Sequence, residues 1–314
     1  MLSYIFKRIA MSVPTVLIVA LLVFGMIRAI PGDPAALMLG DVDDLVVLHA
    51  MRHSLGLDQS IGEQFFLWIS HLLHGDFGMS IVRHEPVLRL IRETFPVTAQ
   101  IVVAATVVTC LIAIPAGLVA AWAQNRRTDI LIILTTILLV SLPSFWVGIL
   151  LIWVFGVKWH YLPTFGFQSF AEVGWHSFKY LVLPVLAVVL TEIAAVTRMM
   201  RASSIEVLRL EYISHARAKG LSESRVLLRH TLPNAFGPAL TMIGLLFGHL
   251  LAGGAVIETV FTLPGMGRLL VESIYARDYP VIQGCLLLIA LIYVFVNLAV
   301  DLLYPFFDPR MKLQ

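Results

Sequence analysis

The sequence predicts an all-α integral membrane protein, a bundle of about six transmembrane helices with an extracytoplasmic segment between the first and the second. Composition is the first reason. Of 314 residues, 59% are hydrophobic and 13% charged, with a mean hydropathy of +0.89, whereas soluble domains use about 45–50% apolar and ~25% charged residues. A water-soluble fold has no way to hide that much apolar surface. The second reason is that six apolar runs reach the ~20 residues a helix needs to cross hydrocarbon. The third is that lipid admits only helices or closed barrels, because every backbone polar group must be satisfied within the protein.

The runs fall at roughly 9–30, 97–123, 130–156, 180–200, 234–257 and 281–303. Lys7 and Arg8 precede the first, as they would in a secretory signal. The run is longer than the roughly 7–15 residues of a signal core and ends in Pro31-Gly32-Asp33-Pro34, which makes it a retained first helix. Residues 31–96 are interrupted by Asp41, Asp43, Asp44, Arg52, Asp58, Glu63, Asp76 and Arg83, so this segment lies outside the bilayer. Within it, Phe65, Phe66, Trp68, Ile69, Leu72 and Leu73 form a helix-like aromatic stripe suited to the membrane surface. The chain thus divides into 1–30 (N-terminus and first helix), 31–96, and a core at 97–314 that holds the other five helices and a loop at 201–233.

Orientation follows from the basic residues, which short cytoplasmic loops retain in excess. Lys7, Arg8, Arg126, Arg127, Arg198, Arg201, Arg209, Arg217, Lys219, Arg225, Arg229, Arg310 and Lys312 fall on one side. Both termini are therefore expected in the cytoplasm, with 31–96 and the loops near 157–179 and 258–280 outside. Trp122, Trp153 and Trp159 sit at helix edges as interfacial anchors. Gly244-x-x-x-Gly248 and then Gly253-Gly254 allow the fifth helix to approach a neighbour closely. Cys110 and Cys285 both lie inside apolar runs and imply neither a disulfide framework nor a thiolate site. A net charge of +2 gives no sign of affinity for nucleic acid.

The most informative segment is the cytoplasmic loop, from Glu211 to Ala235. Alanines at 216 and 218 favour helix, Gly220 supplies a stop, Ser222 and Glu223 start a second helix, and Pro233 interrupts it. Helix, glycine, helix, then Leu232-Pro233 resembles the loop that ABC importer permeases insert into a cleft on their ATPase subunits. By that resemblance Ser214, His215, Ala216, Arg217, Ala218, Lys219, Gly220, Leu221, Ser222, Leu232 and Pro233 form the ATPase-coupling element, with a coupling helix around 214–228. Ser214 and His215 replace the glutamate and first alanine of the general pattern, and His230 replaces an aliphatic residue. The reading Ala-Arg-Ala-Lys-Gly fits the dipeptide, oligopeptide and nickel branch.

Further stretches resemble that branch nearly end to end. They are Pro31-Gly-Asp-Pro34, Leu55-Gly-Leu-Asp58, Gly75-Asp-Phe-Gly78, Ser141-Leu-Pro-Ser-Phe-Trp146, Ile257-Glu-Thr-Val-Phe261 with Pro264-Gly-Met-Gly-Arg268, Arg277-Asp-Tyr-Pro280, Val300-Asp-Leu-Leu303 and Asp308-Pro-Arg310. The resemblance implies the type I permease bundle of an importer in a bacterial inner membrane. The implied partners are a second homologous permease, one or two kinds of ATPase subunit, and an extracytoplasmic solute-binding protein. Small peptides lead as substrate; nickel, as a chelate, and glutathione are served by the same motifs.

The residues support this independently. No Gly-x-x-x-x-Gly-Lys-Ser/Thr stretch cradles ATP phosphates, so the motor is expected on another chain. No Gly-x-Ser-x-Gly or His-Glu-x-x-His appears either, and neither enzymatic activity nor a cofactor is expected here. Glu192, His249 and Glu258 are candidate pathway residues. A carboxylate inside a span is costly unless paired or hydrated, so Glu192 either faces the pore or a partner, or lies near enough to the cytoplasmic end for water and Arg198 to reach it. His249 is either a pore residue or a packed, hydrogen-bonded one. Arg28, near the outer end of the first helix, can snorkel. The pairs His49/His53 and His71/His74 share helix faces and could suit nickel, but solvated surface histidine is the simpler reading, and no metal site is assigned. A stand-alone channel or secondary transporter is the competing class, and would be expected to carry inverted repeats or several intramembrane charges.

Overall fold

In the computed structural model, residues 2–29, 45–54 and 58–307 are described. Pro31–Pro34, the Leu55-Gly-Leu triplet and Asp308-Pro-Arg310 lie outside these residues. Among the described residues the chain is helical, with a single isolated bridge between Met79 and Pro86.

Five helices or helix stretches are long and apolar enough to cross a bilayer, and a sixth crossing is possible through a bent pair. Helix α1 (Leu2–Ala29) is the first. Two shorter helices, α2 (Leu45–Ser54) and α3 (Ile61–Leu73), follow. A capping box fixes the start of α3: the Glu63 amide donates to Ser60 Oγ while the Ser60 amide donates to the Glu63 carboxylate. The aromatic stripe of α3 turns Phe65 and Trp68 onto Phe24 of α1, with ring centroids 5.4 and 5.7 Å away. Arg28 stacks over the same Phe24 ring at 5.0 Å, so its charge rests on an aromatic face rather than in lipid.

Helix α4 (Val87–Trp122) begins within the segment expected to be extramembrane. The reason is an amphipathic first turn: Val87, Leu90 and Ile91 are buried at helical spacing, while Arg89, Arg92 and Glu93 are exposed. Proline does not break it at Pro96 or Pro115.

The expected third span, 130–156, is not one straight helix. Helix α5 (Arg127–Val140) and helix α6 (Ser144–Leu151, continued by a π-helical stretch Ile152–Lys158) meet at 93°. Pro143 lacks an amide hydrogen and pushes Leu142 out of the helical region. Ser141 Oγ donates to the Ile137 carbonyl at 2.8 Å, which helps satisfy the loose end. Thus Ser141-Leu-Pro-Ser is the corner of this bent pair.

A short helix, α7 (Phe170–Val173), precedes the central helix α8 (Phe178–Leu208). The loop helices are α9 (Glu211–Ala218) and α10 (Glu223–Arg225), the latter running through a π turn (Val226–Thr231) into α11 (Leu232–Val260). A short amphipathic helix α12 (Met266–Tyr275) and the last span α13 (Tyr279–Phe307) complete the chain.

The core is built by α4, α8 and α11, whose buried valines, leucines and alanines form one cluster around Leu183, Val189, Val196 and Leu251. Glycine sets the closest approaches. A Cβ on Gly117 would lie 2.7 Å from Met200 Cβ, and one on Gly244 would lie 2.8 Å from Val300 Cγ2. Gly248 faces the Tyr293 ring in the same way, so the Gly244-x-x-x-Gly248 face packs on α13. Gly254 has nothing within 4 Å and leaves its side of α11 open. Helix α1 packs on α13 at the edge of the bundle, joined by Arg8 and Asp301 at 2.8 Å. A buried fork from Arg201 to Asp129, both bonds 2.7 Å, ties α8 to the start of α5.

Candidate functional site

Three constructions matter, and each is built from local sequence. The first is the loop between α8 and α11. Ile213 and Ala216 point inward and pack with Leu118, Met200, Val207, Val226, Ala235 and Ala239, so the loop is anchored to three core helices. Gly220, at φ +80°, terminates α9. Its amide donates to the Arg217 carbonyl (2.9 Å) and that of Leu221 to the Ala216 carbonyl (3.3 Å), the two bonds of a Schellman stop. Across the break, Arg217 forks onto Glu223 at 2.8 and 3.1 Å. Beyond it, Pro233 offers no amide for the normal ladder, the backbone widens to π pitch, and Thr231 Oγ1 donates to the Val226 carbonyl at 3.2 Å. Asn234 closes the same turn by donating to the His230 carbonyl at 2.7 Å.

The result is a rigid bracket with two faces. Ala216, Leu221 and Leu232 turn toward the core, while Ser214, His215, Ala218, Lys219, Ser222 and Pro233 are exposed. Leu228 stands out among them as a 62% exposed aliphatic side chain.

The second construction is halfway along the bundle. Glu192 on α8 lies 3.5 Å from His249 on α11, and not beside Arg198. His249 is roughly 26 Å of helix away from Leu232 and Glu192 about 21 Å from Phe178, which puts both near mid-span. The carboxylate is partly buried and the imidazole exposed, at 23% and 68%. His249 belongs to an exposed stripe on α11, with Thr241, Leu245 and Val256 at helical spacing.

The third construction is at the far end of α11. Glu258, expected as a pathway residue, is 1% exposed and closed inside the fold. Thr98 Oγ1 donates to Oε1 at 2.5 Å, the Arg268 amide donates to Oε2 at 2.8 Å, and the Gly267 amide also donates to the carboxylate. Thr98 Oγ1 in turn accepts from the Met266 amide at 2.8 Å. The carboxylate therefore sits over the first turn of α12, where amides are otherwise orphaned. Gly265 leaves room for it, and Gly267 lets α12 approach the Ala255 backbone, where a Cβ would fall 2.7 Å from Ala255 Cα. The Glu258 and Pro264-Gly-Met-Gly words are thus two halves of one clamp. Phe261, 3% exposed, fills the space above Gly148 in the bent pair.

Nearby, buried Asp278 accepts from Ser80 Oγ and from the Ile81 amide (3.1 Å), latching the 79–86 turn to the entry of α13. Arg83 and Arg268 both reach Glu272 on α12, at 3.0 and 2.8 Å. Sequence reasoning missed Thr98, Asp129 and the role of Asp278. Asp129 carried a usable signal, an acidic residue at the basic end of a span; Thr98 carried none. His49, His53 and His71 lie on α2 and α3, and among the described residues no group of three potential ligands converges on a metal position.

Comparison with known proteins fits these constructions. The profile described as "Binding-protein-dependent transport system inner membrane component" matches residues 113–313, and its N-terminal companion, "Binding-prot-dependent transport system membrane comp, N-term", matches residues 1–102. The chain is 42% identical over 312 residues to the glutathione transport system permease protein GsiC of Escherichia coli (strain K12), covering 99% of both chains. It is 41% identical to the protein of the same name in Shigella flexneri serotype 5b (strain 8401), with the same coverage. A chain of the MetNI methionine ABC transporter, solved in inward-facing conformations, superposes with a TM-score of 0.58 at 14% identity, over 70% of this chain and 96% of that one. The chain therefore belongs to the binding-protein-dependent transport system inner membrane component family, and is a membrane-embedded permease subunit of an ABC importer.

Proposed function

We propose that this subunit forms half of a translocation pathway for small peptides, with glutathione as the foremost candidate, and that the 201–233 loop is where a separate ATPase drives it. The observation that carries the coupling reading is the bracket itself. A loop that merely kept basic residues on the cytoplasmic side would need neither a glycine stop, nor the Arg217–Glu223 fork, nor packing of Ile213 and Ala216 against three core helices. Swinging a two-state gate from 1:99 to 99:1 takes about 5.5 kcal/mol of differential interaction, which nucleotide turnover on a partner supplies. Force applied at Ser214, His215, Ala218, Lys219 and Leu228 passes into α4, α8 and α11 because the inner face of the same element is packed on them.

In this reading the loop and both termini are cytoplasmic, and a solute-binding protein delivers cargo to the opposite face. A second, homologous permease faces the exposed stripe of α11 across the pathway. That stripe supports the assignment, since a histidine turned toward lipid at mid-span would be costly. Glu192 and His249 line the pathway, while Glu258 holds α12 in place. The names of the relatives support glutathione, a peptide with a free amino group.

The test is co-purification and uptake. Replacing residues 214–228 by a flexible Gly/Ser linker is expected to strip the ATPase subunits from the detergent-extracted complex and to abolish uptake of labelled glutathione. Retained ATPase with substrate-stimulated hydrolysis overturns the coupling assignment. Uptake of labelled Ala-Ala or nickel, but not glutathione, by the intact complex overturns the substrate.

A further inference from the structure

Glu192 and Glu258, both on spanning helices, are treated very differently by their surroundings. Glu258 is saturated: a hydroxyl and two amides donate to it. Glu192 has one partner among the described residues, the His249 imidazole at 3.5 Å. That separation exceeds the about 2.7–2.9 Å of a charge-assisted N–H···O bond. The neighbouring Thr191 hydroxyl does not help, since it donates to the Val188 carbonyl at 2.9 Å. The imidazole leaves space beyond it. A Cβ on Gly253, one turn further along the same face of α11, would meet only His249 itself, 3.9 Å from Nε2.

Resting on the pathway reading above, we propose that Glu192 and His249 form a mid-membrane recognition point for the primary ammonium group of the transported substrate. An ammonium carries three donors on a compact charge, and the Glu192 carboxylate has acceptor positions to spare. The long, exposed contact with His249 is weak enough to exchange for it. Once the ammonium is bound, the imidazole is free to donate to the carboxylate end of a zwitterionic peptide. A contact that fills one carboxylate and releases it suits a pathway, where binding must be strong enough to admit cargo and weak enough to let it leave.

Two measurements on the reconstituted complex test this, with its second permease and ATPase present. In a Cys110→Ala background, Gly253→Cys places a thiol beside the pair; Cys285 is buried. The rate of labelling by aminoethyl methanethiosulfonate, relative to the anionic sulfonatoethyl reagent, is expected to fall about tenfold on Glu192→Gln, the change that ~1.4 kcal/mol represents. The trimethylammonium reagent, cationic but without donors, should show a smaller fall. An unchanged ratio, or an equal fall for both cationic reagents, overturns the proposal. In the second measurement, Glu192→Gln is expected to lower uptake of glutathione about tenfold and to leave its deaminated analogue at the wild-type rate. One binding protein delivers both probes, so its own preference cancels in the variant-to-wild-type ratio. Equal losses for the two probes make the pair a packing element and overturn the proposal. If the wild-type complex imports neither probe, the glutathione reading fails, and the labelling ratio still decides the ammonium site.

Discussion

Removing the Glu258 carboxylate should loosen the end of the bundle that carries α12. Glu258→Ala strands three donors, Thr98 Oγ1 and the Arg268 and Gly267 amides. At about 1.5 kcal/mol for each stranded donor, the loss is about 4.5 kcal/mol, before counting the cavity. At about 2.1 cal/mol/K of unfolding entropy per residue, each kcal/mol lowers the thermal midpoint of a 314-residue chain by about 1.5 °C, so a fall of about 7 °C is expected in detergent. Thr98→Val should cost less, because Glu258 keeps its amide donors. The double variant should be less destabilised than the sum of the singles, since they remove one shared bond. Differential scanning fluorimetry of the four proteins in one detergent is the assay. A midpoint for Glu258→Ala within about 1 °C of wild type, or strict additivity with Thr98→Val, would refute the clamp.

Other perturbations follow from the same geometry. Gly220→Val forces a β-branched residue to φ +80°; the strain, about 1–2 kcal/mol or more, should weaken ATPase retention on purification while leaving the thermal midpoint of the span bundle nearly unchanged. Gly248→Leu drives a side chain into Tyr293 and should separate α11 from α13, read as a lower thermal midpoint than wild type in the same detergent. On α3, hydrogen bonds from the Ser60 hydroxyl and amide hold the Glu63 carboxyl below its usual range. That contribution is present above the ordinary carboxylate pKa and is lost as pH falls through the depressed folded value, so hydrogen exchange of the 61–64 amides, corrected for intrinsic rate, should quicken on acidification in wild type and less so in Ser60→Ala, which keeps only the backbone donor.

Much of this architecture is legible in the residues because hydrocarbon is an unforgiving solvent: apolar length reports a span wherever it occurs. The loop is legible for another reason. A helix stop at Gly220 and an amide-less Pro233 are local backbone facts, and local facts survive without knowledge of the fold. What hydropathy does not register is direction, so the 130–156 run reads as continuous although Pro143 turns it through 93°. Averaging also trims amphipathic ends, which is why α4 starts at Val87 and α8 continues to Leu208 beyond their expected limits. Partners distant in sequence are the least visible. Glu192 reads equally well beside Arg198 until α8 and α11 are packed, and Glu258 reads as a pathway residue until Thr98 and the start of α12 close over it. The glycines divide in the same way: Gly244 and Gly248 meet α13, whereas Gly253 lies against His249 of its own helix and Gly254 faces open space.

The central claim is that the 201–233 loop transmits force from a nucleotide-driven partner on the cytoplasmic side. The most direct measurement is thiol labelling of Ala218→Cys, in the Cys110→Ala background, in sealed vesicles of both orientations with and without the ATPase bound. The account predicts reaction with a membrane-impermeant reagent in inside-out vesicles alone, and protection when the ATPase is docked. Labelling in right-side-out vesicles, or identical rates with and without the ATPase, would contradict it.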